Sequence, residues 1–174
     1  MEEFITCEEP TLESAACHIG KACYKARMKT VKDLSPVMPY VNAVAKVISF
    51  DTEEPVIIFR LGSYKVALRP GELSVATVPD LIEGREAILA TVVFLNDLWE
   101  RRETITPNQR SRKRPQAFGI YKFLPKTNCA LCGESSCLAF ATKLALAELD
   151  VESCLPLQAD QAAKGHILQL IAGE

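Results

Sequence analysis

The stretch VISFDTEEPVIIFRLGSYKVAL, residues 47–68, decides the fold class. It holds three short runs rich in β-branched and aromatic residues: Val47–Phe50, Val56–Arg60 and Tyr64–Leu68. Asp51-Thr-Glu-Glu-Pro55 and Leu61-Gly-Ser63 separate them, and both have the length of hairpin connections. Parallel pairing would need a crossover of a dozen residues or so, and these links are too short for one. The reading is therefore an antiparallel meander, with Gly62 and Gly71 in turns. Leu73–Thr77, after the Pro70-Gly71 turn, is its candidate fourth strand.

Helical segments flank the meander. Upstream, TLESAACHIGKACYKARMKT (11–30) has helical composition, interrupted by Gly20. Asp33-Leu-Ser-Pro36 punctuates the chain, and Ser35 is a candidate cap for a helix over 37–46, with Pro39 confined to its first turn. Downstream, Ile88, Val92, Leu95 and Trp99 recur at helical spacing, with Leu89 and Val93 beside them. This predicts a long helix over 79–102 with its stripe on one sheet face. Arg101 and Arg102 then suit its negative end. The segment 106–115, TPNQRSRKRP, has two prolines, four basic residues and no large apolar one, and reads as a solvated linker. A docking strip for an acidic partner is the alternative. The expected class is α+β: an antiparallel meander packed by helices over 1–106, a basic linker over 107–115, and a small helical unit over 116–174. That last unit is expected to contain helices over 117–123, 137–149 and 157–171, with Ile167, Leu168, Leu170 and Ile171 as apolar positions of the last.

Composition narrows the function classes. Of 174 residues, 48% are hydrophobic, enough for a proper core. The formal charge of −2 argues against general nucleic-acid binding. No apolar run is long enough to span a membrane. The acidic start, MEEFITCEEP, lacks the order of a signal peptide, so a cytoplasmic location is expected. In that reducing setting the seven cysteines point to metal or redox chemistry rather than a disulfide framework.

The spacing Cys129-x2-Cys132-x4-Cys137-x16-Cys154 carries that chemistry. A Cys-x2-Cys pair turns two thiolates toward one centre. Gly133 permits the left-handed backbone such a loop needs. Ser135 or Ser136 is placed to cap the next helix, which puts Cys137 in a first turn where the helix dipole favours a thiolate. Cys154 returns to the other three if that helix ends early. Four thiolates hold either zinc or an iron–sulfur cluster. Zinc sites with four cysteines usually pair two Cys-x2-Cys knuckles, whereas one loop supplying three ligands, with a remote fourth, suits a [4Fe–4S] cluster. Zinc and non-ligand cysteines remain open at this point.

The run LPKTNCALCGESSCLAFATKLALAELDVESC (124–154) resembles the iron–sulfur domain in the large subunit of the corrinoid iron–sulfur protein family. The shared elements are the Leu-Pro-Lys-x-Asn-Cys opening, Cys-Gly, a third cysteine entering Leu-Ala-Phe-Ala, and a fourth cysteine sixteen residues on. Ser135, where proline is common, and Leu155 before Pro156 depart from it without touching a ligand. The resemblance implies a [4Fe–4S] cluster on Cys129, Cys132, Cys137 and Cys154. It covers the last third of the chain. VMPYVNAVAKV and DLWERRETITPNQRSRKRP are similar, less specifically, to small iron–sulfur proteins of anaerobic bacteria. Nothing in residues 1–115 looks like a corrinoid-binding barrel.

Other features weigh less. Cys7, Cys17 and Cys23, with His18, are too loosely spaced for a strong metal site and read mainly as small buried hydrophobes or an exposed thiol. His166 reads as a surface or satisfied residue, and Glu53 and Glu54 as solvated. No nucleophile triad order, phosphate loop or dinucleotide fingerprint occurs. The expected function is low-potential one-electron transfer in an anaerobe's cytoplasm. The expected partner is a redox protein, which the resemblance extends to a corrinoid enzyme, and the N-terminal unit would recognise it. The rivals are a structural or sensory cluster in a binding module, and an enzyme with a ligand pocket near Tyr40, Tyr64 or Trp99.

Overall fold

The computed structural model describes residues 3–14 and 24–173. Two compact units divide the chain, residues 1–110 and 111–174. The boundary falls inside the segment read as a linker. Up to that point the chain is tied down: the Asn42 side-chain amide donates to the Asn108 and Arg110 carbonyls at 2.9 and 3.0 Å.

The first unit is built on a six-stranded, wholly antiparallel sheet. Its strands are β1 (Thr11–Ser14), β2 (Tyr24–Lys29), β3 (Lys46–Asp51), β4 (Val56–Leu61), β5 (Tyr64–Arg69) and β6 (Glu72–Val78), in spatial order β1-β2-β6-β5-β4-β3. The four-strand meander thus extends by two further strands. Residues 24–29 are a strand, not the helix expected for 11–30; residues 15–23, with Cys17, His18 and Cys23, lie outside the described residues. The physical reason is a period of two. Ala26 and Met28 are fully buried while Lys25, Arg27 and Lys29 face the other way, and pairing with both β1 and β6 satisfies the backbone. Edge strand β3 carries a register shift at Ile48, and β1 is short and polar, two devices that blunt an open edge.

One sheet face makes the core. Ala26, Val75, Val66, Phe59 and Val47 form one cross-strand row and Met28, Leu73, Leu68, Ile57 and Phe50 the next. Helix α2 (Leu81–Glu100) packs on this face, capped by Asp80, whose carboxylate accepts from the Glu83 amide at 2.9 Å. Its buried stripe is Ala87, Ile88, Thr91, Val92, Leu95 and Leu98, so the face is rotated from the one expected. Leu89 and Val93 are exposed, and Trp99 is half-buried between Phe4, Tyr40 and Arg102. Arg101 and Arg102 fall just past the helix end. Gly84 allows the close approach, since a Cβ there would stand 3.1 Å from the Ala26 Cβ.

Helix α1 (Met38–Val44) follows a 3-10 turn over Ser35–Val37. Ser35 does not cap it; its amide and hydroxyl both donate to Asp33, at 2.8 and 2.7 Å. At the N-terminus, Ile5 is held by Asn96, which accepts from the Ile5 amide and donates to its carbonyl, both at 2.9 Å.

The second unit is helical. Helix α3 (Ala117–Tyr121), α4 (Cys137–Ala145) and α5 (Gln161–Ala172) enclose a core of Ile120, Leu124, Phe140, Ala141, Leu144, Val151, Leu157 and Ile167. Helix α4 ends four residues before the expected limit of 149, and α5 starts after a 3-10 turn over 155–159. Of the apolar positions expected on α5, Ile167 is fully buried and Leu168 is exposed. None of the described helices is long and apolar enough to cross a membrane.

Candidate metal centre

The loop between α3 and α4 winds through an alternating backbone. Lys126, Asn128, Ala130 and Gly133 all have positive φ, at 60, 49, 58 and 83°. Such reversals turn successive peptide groups toward one side and make a concave cradle for negative charge. Gly133 takes its conformation freely, while the other three carry a cost that the surrounding contacts must offset.

Two contacts hold the loop to α4. The Asn128 side-chain oxygen accepts from the Cys137 amide at 2.9 Å, across nine residues. Lys143 of α4 reaches back to Glu134 at 2.7 Å. Ser136, rather than Ser135, caps α4, its hydroxyl accepting from the Ala139 amide at 3.1 Å. Cys137 is thereby fixed in the first turn of the helix.

Cys154 is brought round by the early end of α4. Ala147 adopts φ 53°, its amide donates to the Leu144 carbonyl, and the Glu148 amide donates to Lys143. This is the Schellman arrangement that usually ends on glycine. A 3-10 turn over Val151–Ser153 then delivers Cys154, whose carbonyl accepts from the Leu157 amide and the Gln158 side chain.

The four cysteines meet. Cys129, Cys132, Cys137 and Cys154 line one hollow together with Thr127, Asn128, Ala130, Glu134, Ser136, Phe140 and Pro156. Cys137 and Cys154 are buried, Cys132 is half-buried and Cys129 is exposed. Among the described residues, no three Cys, His, Asp or Glu side chains converge tightly enough to hold a single metal ion.

Their electrostatics differ. The Leu131 amide, then the Thr127 hydroxyl, hydrogen-bond the Cys129 sulfur and hold its pKa below the ordinary thiol value. Burial, the largest effect, pushes the Cys154 thiol up; the Leu157 amide opposes this, and the Cys132, Cys137 and Cys129 thiols reinforce it. A cationic centre would remove this penalty by taking up the thiolate charge. The donor set therefore fits an iron–sulfur group: four sulfurs, an amide and a hydroxyl already directed at one of them, and the single lining carboxylate engaged by Lys143.

Residues 124–156, the segment that forms this hollow, match the family described as "Putative Fe-S cluster". The match takes in all four cysteines of the hollow. Three relatives are similar to the C-terminal region of the chain. The gamma subunit of the acetyl-CoA decarbonylase/synthase complex of Methanothermobacter thermautotrophicus is 48% identical over 48 residues, 28% of this chain and 10% of that protein. The corresponding subunit of Methanocaldococcus jannaschii is 45% identical over 62 residues, 34% of this chain and 13% of that protein. The corrinoid/iron-sulfur protein large subunit of Moorella thermoacetica is 51% identical over 43 residues, 25% of this chain and 9% of that protein. The chain thus spans about a tenth of the length of these relatives. No solved structure matches it significantly.

Other sequence candidates lie elsewhere. Cys7 is exposed, and burial with the nearby Glu9 charge raises its pKa. His166 is exposed and stacks on Phe123, with ring centroids 5.0 Å apart. The surface beside Trp99 is an open groove lined by Glu3, Phe4, Asn96, Asp97, Glu100 and Arg102. Tyr64 donates to Glu83 at 2.6 Å and joins β5 to α2. Sequence reasoning missed Thr127 and Asn128. The available signals were the place of Asn128 in the Leu-Pro-Lys-x-Asn-Cys opening and the position of the pair directly before Cys129 in a turn-forming run, where asparagine accepts left-handed backbone and hydrogen-bonds nearby amides.

Proposed function

We propose that Cys129, Cys132, Cys137 and Cys154 hold one [4Fe–4S] cluster and that the protein is a low-potential one-electron carrier. The observation that supports this most is the meeting of four thiols around one hollow within the segment matched to the iron–sulfur family. When bound, the cluster supplies reversible one-electron chemistry. The chain's residues do the rest. Cys137 and Cys154 bind from within the core, Cys129 binds at the surface, and Thr127 and the Leu131 amide stabilise sulfur charge. The partner is a redox protein. By likeness to the decarbonylase/synthase gamma subunits and the corrinoid/iron-sulfur protein, a corrinoid protein of an anaerobe is the first to test. The N-terminal unit is assigned to partner recognition.

Anaerobic reconstitution with iron and sulfide, followed by EPR of the dithionite-reduced protein, tests the cofactor. About four irons and four sulfides per chain with a cubane signal are expected. Stoichiometric zinc and no such signal would overturn the reading.

A structural contribution of the cluster has its own support, because Cys137 and Cys154 belong to the core of the second unit. A cluster that resists reversible reduction, yet whose loss unfolds residues 111–174, would select that role over electron transfer.

A further inference from the structure

Exposed leucines accompany the cysteines along the chain. Leu131 stands between Cys129 and Cys132, Leu138 follows Cys137, and Leu155 follows Cys154; they are 63, 37 and 62% exposed. Neighbouring Cα atoms are about 3.8 Å apart, so each leucine lies one residue from a cysteine that lines the hollow. None of the three lines the hollow; each is the exposed chain neighbour of a residue that does, which puts its backbone at the rim. The unit has room to bury leucine, for Leu124, Leu144 and Leu157 are inside it. Leucines left exposed at three chain neighbours of lining cysteines, while others a few residues away are buried, are the kind of residue a contact surface uses.

Charge says what covers it. From Thr104 to Gly133 the chain has no carboxylate, while Lys113, Arg114, Lys122 and Lys126 are all exposed there. Lys126 lies three residues before Cys129, with its ammonium 5.8 Å from the Tyr121 ring centre. The one carboxylate lining the hollow, Glu134, is engaged by Lys143. After Glu134 the next acidic residues are Glu148, Asp150 and Glu152, on the approach to Cys154. The approach through Cys129 is thus basic and apolar, and a partner fitted to it is acidic around an apolar centre.

We propose that Leu131, Leu138 and Leu155, with Lys122 and Lys126 at their edge, form the docking face for an acidic one-electron carrier protein. This rests on the cluster reading above. In the exchange, one electron leaves the reduced carrier and enters the bound cluster; no bond forms or breaks.

The test uses the full chain reconstituted anaerobically, with reduced flavodoxin as an acidic protein donor and the methyl viologen radical as a small cationic one. Stopped-flow rates are followed against salt for the wild type, Lys126→Glu, Leu138→Ser, Leu155→Ser and, as a control, Leu168→Ser on α5. The flavodoxin rate is expected to fall about tenfold with added salt and about tenfold in Lys126→Glu. It should fall severalfold in the two rim leucine variants and stay unchanged in Leu168→Ser, with none of the variants slowed toward viologen. Independently, oxidised flavodoxin should protect amides over residues 126–138 from hydrogen exchange. A chain that takes up no cluster overturns both readings. A chain that is reduced by viologen, but whose flavodoxin rate ignores salt and all three rim variants, overturns the docking face alone. So does a rim leucine variant that changes the sedimentation of the free protein and leaves that rate intact, which would mark a contact between copies of this chain.

Discussion

At the residue scale, Asn128 ties the cysteine loop together without supplying a sulfur. Its side chain accepts from the Cys137 amide and so joins the loop that carries two cysteines to the helix that carries the third. Asn128→Ala leaves that amide short of a partner in a half-buried place, at a cost of about 1–2 kcal/mol. The melting temperature of the cluster-free protein should fall, and iron uptake on reconstitution should slow. Asn128→Asp, which keeps the acceptor, should restore most of both. Thr127 acts on charge instead. Thr127→Val removes a hydrogen bond to the Cys129 sulfur, so an EPR-monitored potentiometric titration should give a more negative midpoint. That the four cysteines meet at one hollow was legible in the sequence, because their spacing is a property of the chain. The sulfur's hydrogen bonds were not, since they depend on the left-handed turns at Lys126, Asn128 and Ala130, three residues without the glycine that would announce such a turn.

At the element scale, the strands of the meander were legible because apolar residues and turn residues agreed about them. Residues 24–29 were not, because Lys, Ala, Arg and Met are good helix formers and also alternate. Burial of Ala26 and Met28 against α2 decided the matter, and that partner is about sixty residues away in sequence. The length of α4 was misjudged for a similar reason: its stop at Ala147 carries no glycine. Ala147→Gly should relieve the left-handed strain and stabilise the second unit by about 1 kcal/mol, read as a higher urea midpoint. The β5–α2 contact gives a pH test. Tyr64 has a raised pKa, chiefly because it donates to the Glu83 carboxylate. A raised folded value means the contribution is fully present below the unfolded pKa near 10 and is lost as pH rises through the folded value. Wild type should therefore exceed Tyr64→Phe in stability by a constant amount at neutral pH, and the gap should close in alkali.

At the scale of the whole molecule, two units of unequal self-sufficiency share one chain. The first buries a continuous sheet face under α2, with Phe59, Met28, Leu73, Leu68, Ile88 and Leu95 all fully inside. The second spans only residues 111–174, and two of its core residues are Cys137 and Cys154. A core of that size rarely supplies more than about 3–5 kcal/mol unaided, and metal binding is a common supplement. Removing the cluster should then destabilise one unit and spare the other. The sequence provides its own reporter, since the single tryptophan, Trp99, lies in the first unit against Phe4 and Arg102. In a thermal scan of the reconstituted protein, Trp99 fluorescence should follow the first unit and visible cluster absorbance the second. With an iron chelator present, far-UV circular dichroism should show helix lost at a lower temperature while the Trp99 midpoint stays fixed. A Trp99 midpoint that moved down together with the helix signal would mean that the two units unfold as one, and that the cluster stabilises the sheet as well as the loop that holds it.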